Sequence, residues 1–197
     1  MTPPRLAWTW KRFEALSLDE LYDALALRCR VFVLEQGPYL DPDGLDRVSW
    51  HLLGRDGQGA LHAYLRVVDP GAKFVEPSMG RVITSPEVRG TGVGRLLVAE
   101  GVRRIDEAWP GQANRISAQL HLSKFYQAFG FQEVGEPYEE DQIPHVQMIR
   151  SAAVGLPPPL MSPGPGAART SSFTSLRGKP AHLAVPASSQ SEPETDR

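Results

Sequence analysis

The chain has 197 residues, 41% of them hydrophobic, and a formal net charge of −2, which suits one good core in a single domain and offers no general attraction to nucleic acid or an anionic membrane. Its single cysteine, Cys29, excludes an intramolecular disulfide, a cysteine–histidine zinc cluster and a Cys-x-x-Cys redox pair, and no metal site is expected. Residues 1–13 contain no apolar run of signal-peptide length and no stretch approaches the roughly 20 apolar residues of a membrane span, so a soluble cytoplasmic protein is expected.

Residues 7–13 read as a first strand in which Trp8 and Trp10 alternate with other residues. Ser17-Leu18-Asp19-Glu20 is a capping box, and Leu18, Leu21, Tyr22, Leu25, Cys29 and Phe32 then recur at helical spacing. This predicts a long first helix, or a bent pair, over residues 18–36, with Cys29 as a small buried hydrophobe. Residues 37–44 are loop chemistry, and their two aspartates, interrupted by proline, are too few for a calcium loop. Strands follow at 51–54 and 60–68, joined across Asp56-Gly57, a hairpin signal.

Residues 79–84 are β-rich, and Ser85-Pro86 stops them. A glycine-rich turn then leads into a helix whose Val93, Leu96, Leu97, Val102, Ile105 and Trp109 keep a 3.6-residue period until Pro110-Gly111 ends it. Beyond it lie a short strand at 115–119, a helix at 122–129 and closing strands at 131–135 and 145–149. In that helix Leu122, Phe125 and Phe129 form a stripe, and Gly130 supplies a left-handed cap. The order β, α, β, β, β, α, β, α, β, β predicts an α/β fold with a mixed, mostly antiparallel sheet flanked by helices. Residues 1–150 make up this domain; residues 151–197, rich in proline, serine and alanine without an apolar period, are expected to be disordered.

The glycine-rich turn is a phosphate cradle: glycines let the backbone curl so that successive N–H groups face one concavity, and the positive end of the next helix favours an anion. It is not a Walker A loop, because Gly94-Arg95-Leu96 carries neither the lysine nor the hydroxyl. A dinucleotide fingerprint from Gly90 requires glycine or alanine where Arg95 stands. Arg89-Gly90-Thr91-Gly92-Val93-Gly94 instead resembles the Arg/Gln-x-x-Gly-x-Gly/Ala loop of the GNAT superfamily of N-acetyltransferases. Phe125-Tyr126-Gln127-Ala128-Phe129-Gly130-Phe131, about 30 residues on, is similar to that superfamily's Phe-Tyr-x-x-x-Gly-Phe stretch. Further phrases at 27–36, 80–82, 118–121 and 138–145 look like its bacterial ElaA-type subgroup.

The resemblance implies an acyl-coenzyme A N-acyltransferase fold and transfer of an acetyl group from acetyl-coenzyme A to a primary amine, by direct attack, on a small molecule or a protein. It places the pyrophosphate on the amides of Arg89, Gly90, Thr91, Gly92, Val93 and Gly94, beside the strand residues Val82, Ile83 and Thr84. A backbone N–H around Val82 or Ile83 would polarise the carbonyl, and Tyr126 would be the general acid. For the base, His145 stands close after Glu139-Glu140-Asp141, and His121 opens the Tyr126 helix; a structural role stays open for both. The acidic run either attracts a cationic acceptor or is a solvated turn. Acetyl-coenzyme A and an amine are the expected partners, without nucleic acid or membrane, for a monomer or homodimer. A non-catalytic acyl-coenzyme A binding or regulatory module is the alternative, and residues 28–32 bear a faint likeness to acyl-homoserine lactone synthases.

Overall fold

The computed structural model describes residues 3–37 and 40–152; from residue 153 on, the stretch expected to be disordered lies outside the described residues. Seven strands form one sheet in the order β1-β2-β3-β4-β5-β7-β6. They are β1 (Ala7–Arg12), β2 (Ser49–Arg55), β3 (Leu61–Val68), β4 (Ser78–Thr84), β5 (Asn114–Gln119), β6 (Gln132–Glu140) and β7 (Ile143–Arg150). Every neighbouring pair is antiparallel except β4 with β5. The helices are α1 (Leu18–Arg28), continued by a π-helical stretch Cys29–Glu35, then α2 (Val93–Ala108) and α3 (Ser123–Gln127). Among the described residues no helix is long and apolar enough to cross a membrane.

Alternation along the strands gives the sheet two apolar faces. Leu52, Ala63, Leu65, Val67 and Met79 meet Val93, Leu97, Val98 and Ile105 of α2, with Tyr126 and Phe131 in the same cluster. On the opposite face Leu53, Tyr64 and Ile83 meet Ala24 and Leu27 of α1 and Val31 and Phe32 of the π-helical stretch. Gly101 is where α2 comes closest to the sheet: a Cβ there would stand 2.7 Å from a Leu65 methyl.

The expected capping box is present, with Ser17 Oγ accepting from the Glu20 N–H and the Glu20 carboxylate accepting from the Ser17 N–H. The expected buried stripe on α1 is corrected. Leu18 is 86% and Tyr22 74% exposed, and Cys29 is exposed as well. The helix instead lies on the sheet by its small Ala24, with Leu27 and Arg28, because Arg28 must reach acidic partners beneath it. The β2–β3 connection also differs. Asp56 turns the chain by accepting from the Gln58 and Ala60 N–H groups at 2.9 Å, and the left-handed residue is Gly59 (φ 89°) rather than Gly57.

Asp41 in the loop and Asp46 in the short 3-10 turn Leu45–Val48 that follows it are those partners. Arg28 and Asp41 are each 1% exposed and Arg66 2%. Arg28 Nε donates to Asp41 at 2.8 Å, and its Nη1 to Asp46 at 2.7 Å. Arg66 Nη1 donates to Asp43 and Asp46 at 2.7 Å. Burial works against charge on Asp43 and Asp46, yet hydrogen bonds from Arg66 and Arg28 outweigh it and hold both carboxyls below their ordinary value. Such a network stabilises only while it is complete, since removing one member strands a buried charge at a cost of about 3–5 kcal/mol.

His51, 1% exposed, sits beside this network as a neutral ring. Its Nε2–H donates to the Asp46 carbonyl at 3.0 Å, and Nδ1 accepts from the Tyr64 hydroxyl at 2.8 Å. Burial lowers its pKa. The unfolded chain therefore takes up a proton near pH 6.5 that the folded chain refuses, so this contribution to stability is complete above that pH and is lost as pH falls. Thermal melts at constant ionic strength should show Tm falling from pH 7 toward pH 5, and a flat Tm would contradict a neutral buried imidazole.

Candidate active site

The parallel pair β4 and β5 meets at one position only, Ser78 opposite Arg115, and beyond it the two strands diverge. A bulge in β4 accompanies the divergence: Tyr64 pairs with Ile83 and Arg66 with Gly80, so that Leu65 alone faces both Arg81 and Val82. Arg81 takes a left-handed φ of 52° there. The gap is a cavity of about 150 Å³. Gly80, Arg81 and Val82 wall it on one side and Ser117, Ala118 and Gln119 on the other; Phe32 of the π-helical stretch and Gln36 just after it also line it.

Tyr126, on α3, lines the same cavity. Its ring is 7% exposed and held edge-on between Phe125 and Phe131, with centroids 5.2 and 6.0 Å away. Its hydroxyl has no hydrogen-bond partner among the described residues, and burial pushes its pKa above the ordinary value, which keeps the proton on oxygen. The expected stripe on this helix holds for Phe125 and Phe129, which pack half-buried against the core, but Leu122 is 36% exposed and Tyr126 is the fully buried member.

Of the two histidines, the structure brings His145 to the cavity and leaves His121 exposed in the turn before α3, away from its walls. His145 Nδ1–H donates to the Ile143 carbonyl at 2.7 Å, which leaves Nε2 as an acceptor. Beside it Glu140, from the acidic run, joins Ser117 and Tyr138, which the sequence reading does not place in the site, in a polar cluster. Ser117 Oγ donates to Glu140 at 2.8 Å and accepts from the Tyr138 hydroxyl, whose oxygen also lies 3.2 Å from the Glu140 carboxylate. Burial works to raise the Glu140 carboxyl, but the Ser117 hydrogen bond and the nearby Lys73 and His145 outweigh it, and the group stays below its ordinary value. The polar alternation Arg115, Ser117, Gln119 along β5 was the available signal.

The glycine-rich turn stands at the start of α2. Thr91 Oγ1 donates to the Val88 carbonyl at 2.6 Å, and Arg89 is paired with Glu35 at 2.8 Å. Gly90 (φ 74°) and Gly92 (φ 94°) are left-handed. Gly92 caps α2 without a side chain, and the N–H groups of Gly90, Gly92, Val93 and Gly94 have no partner among the described residues. A Cβ on Gly90, Gly92 or Gly94 would meet nothing within 4 Å. The turn thus presents a row of free donors and an open surface at a positive helix end, which fits a phosphate group. Arg95 joins this turn to the Tyr126 helix by lying over the rings of Phe125 and Phe129, at 5.9 and 6.0 Å. Of the three strand residues expected beside the turn, Val82 reaches the cavity; Ile83 is buried on the α1 face and Thr84 pairs with Ala63.

Comparison with known proteins finds relatives of the same family and fold. A family model described as an acetyltransferase (GNAT) domain matches residues 56–152. A UPF0039 protein of Synechocystis is 48% identical over 143 residues, 72% of this chain and 93% of the relative. Protein ElaA of Escherichia coli is 40% identical over 148 residues, 74% of this chain and 96% of its own. Among solved structures, that of an acyl-CoA N-acyltransferase from Pseudomonas aeruginosa superposes with a TM-score of 0.71 at 42% identity, covering 74% of this chain and 99% of that one.

A carboxylate in the concavity of the turn would repel a phosphate there. Gly92→Glu should weaken coenzyme A binding about tenfold or more in titration calorimetry, equivalent to roughly 1.4 kcal/mol of lost affinity. Gly94→Glu should do the same without left-handed strain, because only Gly90 and Gly92 of this turn have positive φ. Unchanged affinity in both folded variants would refute the cradle.

Proposed function

The chain belongs to the GNAT acyltransferases, in their ElaA-like group, whose chemistry is acyl transfer from acyl-coenzyme A; from that premise we propose that it carries an acetyl group from acetyl-coenzyme A to a primary amine of a small molecule or protein, by direct attack. The observation that carries this reading is the opening between β4 and β5, with the bulged Val82 on one wall and the unbonded phenol of Tyr126 on another. The inner edges of the two strands offer backbone partners to an extended chain entering the gap. The free N–H groups at Gly90, Gly92, Val93 and Gly94 hold its pyrophosphate end.

Four residues divide the work. Glu140, held ionised, attracts the protonated amine into the cavity. A lysine-like amine has a pKa of about 10.4, so it must lose a proton before it can attack, and His145 takes that proton on Nε2, directly or through water. Val82 aims its N–H at the thioester carbonyl, where negative charge develops. Tyr126 donates to the departing sulfur. Its phenol is a weaker acid than a thiol of pKa about 8.5, so it stabilises the leaving thiolate by hydrogen bonding more than by complete proton transfer, and its contribution falls at the low end of general-acid effects. A cytoplasmic reaction fits the use of acetyl-coenzyme A.

Thiol release from acetyl-coenzyme A in the presence of a panel of primary amines tests the reading. Release that depends on the amine is expected, and binding without release by any amine would favour the non-catalytic module. With a working amine, Tyr126→Phe should lower kcat by about 10²-fold while coenzyme A affinity stays within about threefold. Glu140→Gln should raise the KM for the amine several-fold without changing that for acetyl-coenzyme A. Unchanged turnover in Tyr126→Phe would reduce Tyr126 to a packing residue.

A further inference from the structure

The bulge in β4 depends on a backbone conformation that its own residue disfavours. Arg81 is one of three non-glycine residues with positive φ among those described; the other two, Asp141 and Gln142, form the tight turn between β6 and β7. Arg81 alone lies within a strand. An L-residue with a Cβ leaves this region unless surrounding contacts hold it, and the two shortest hydrogen bonds that hold Arg81 both go to one residue, Asp41. Arg81 Nε donates to Asp41 Oδ1 at 2.7 Å, and its Nη2 donates to the Asp41 carbonyl at 2.9 Å and to Asp43 at 3.3 Å. The guanidinium also lies over the ring of Phe32, 5.7 Å from its centroid.

Asp41 is fixed in turn. It is 1% exposed, and its second oxygen accepts from Arg28 on α1. Arg28 also binds Asp46, which is shared with Arg66, and Arg66 is the β3 residue paired with Gly80, immediately before the bulge. The circuit therefore starts on β3, passes through the loop and α1, and closes on β4 at the residue that opens the cavity.

We propose that Asp41 and Arg81 are positioning residues for acyl transfer: the buried carboxylate of Asp41 clamps the Arg81 side chain and thereby holds the left-handed bulge that presents the Val82 N–H to the cavity. Neither residue touches the reacting atoms. The functional half of this assignment rests on the acyl-transfer reading above; the structural half rests on the hydrogen bonds alone.

Replacing Arg81 by alanine and by glycine separates clamp from backbone. Arg81→Ala removes the clamp and keeps the Cβ that disfavours φ 52°; Arg81→Gly removes the clamp from a residue that needs none. Asp41 keeps Arg28 in both variants, so its buried charge stays paired. With an amine found by the screen, Arg81→Ala should lose roughly tenfold or more in kcat, the scale of a misplaced catalytic dipole, with its KM for acetyl-coenzyme A within about threefold of the parent. Arg81→Gly should turn over at least about threefold faster than Arg81→Ala, a rescue that loss of a guanidinium contact to substrate would not permit. Crystal structures supply the arm that needs no turnover: residue 81 should leave the left-handed region in the alanine variant and remain there in the glycine variant. Equal kcat in the two variants, or an alanine that keeps the left-handed bulge, overturns the proposal. If the parent acetylates no amine, the acyl-transfer reading fails and the crystal structures alone decide whether Asp41 holds the bulge.

Discussion

The fold turns on a parallel strand pair that closes at one residue and then opens. β4 and β5 are held together at Ser78 and Arg115, each keeps its antiparallel partner on its outer side, and between their inner edges lies the cavity. Backbone groups at such edges are costly to bury dry, so the gap calls for water or a ligand with its own donors and acceptors. The two halves of the sheet stay one body because Leu65 and Met79 on one side of the opening and Ile116, Val146 and Met148 on the other share one apolar cluster with α2. The opening is a local exception inside a strong framework, which is how strained functional geometry is usually sustained.

Two apolar faces of different character flank this opening. On the α2 side the core is tight, with Gly101 set against Leu65 and Met79, so α2 and the free N–H groups of its first turn are held firmly against the sheet. The α1 side carries, beside its apolar cluster, a network in which three arginines meet three aspartates, with Arg28, Asp41, Asp46 and Arg66 buried and Arg81 and Asp43 at its solvent edge. Hydrophobic residues of equal volume would often stabilise such a site as well or better. What the network adds is direction, since each bidentate guanidinium fixes both distance and angle to its partner.

The elements and their order were legible because they are written in local patterns: the Ser17–Glu20 capping box, the 3.6 period of α2, the glycines from Gly90 to Gly94. Family membership was legible for the same reason, two short motifs at a fixed separation. The buried network was not, because Arg28, Asp41, Arg66 and Arg81 are far apart in sequence and each alone reads as a surface charge. Misreading α1 followed from that, since apolar periodicity pointed to Leu18, Tyr22 and Cys29 while the true contact face is built around Arg28 and Ala24. The candidate site was legible in Tyr126, His145 and Val82, which share one cavity, and in Glu140 as part of the acidic run 139–141, but not in Ser117 and Tyr138, whose meeting with Glu140 depends on the register of β5, β7 and β6.

A crystal structure with acetyl-coenzyme A bound tests the central claim most directly. The account predicts the pyrophosphate on the N–H groups of Gly90, Gly92, Val93 and Gly94, the pantetheine arm between β4 and β5, and the thioester oxygen within hydrogen-bonding distance of the Val82 nitrogen with the Tyr126 hydroxyl beside the sulfur. A ligand bound elsewhere, or a thioester pointing away from both Val82 and Tyr126, would contradict it.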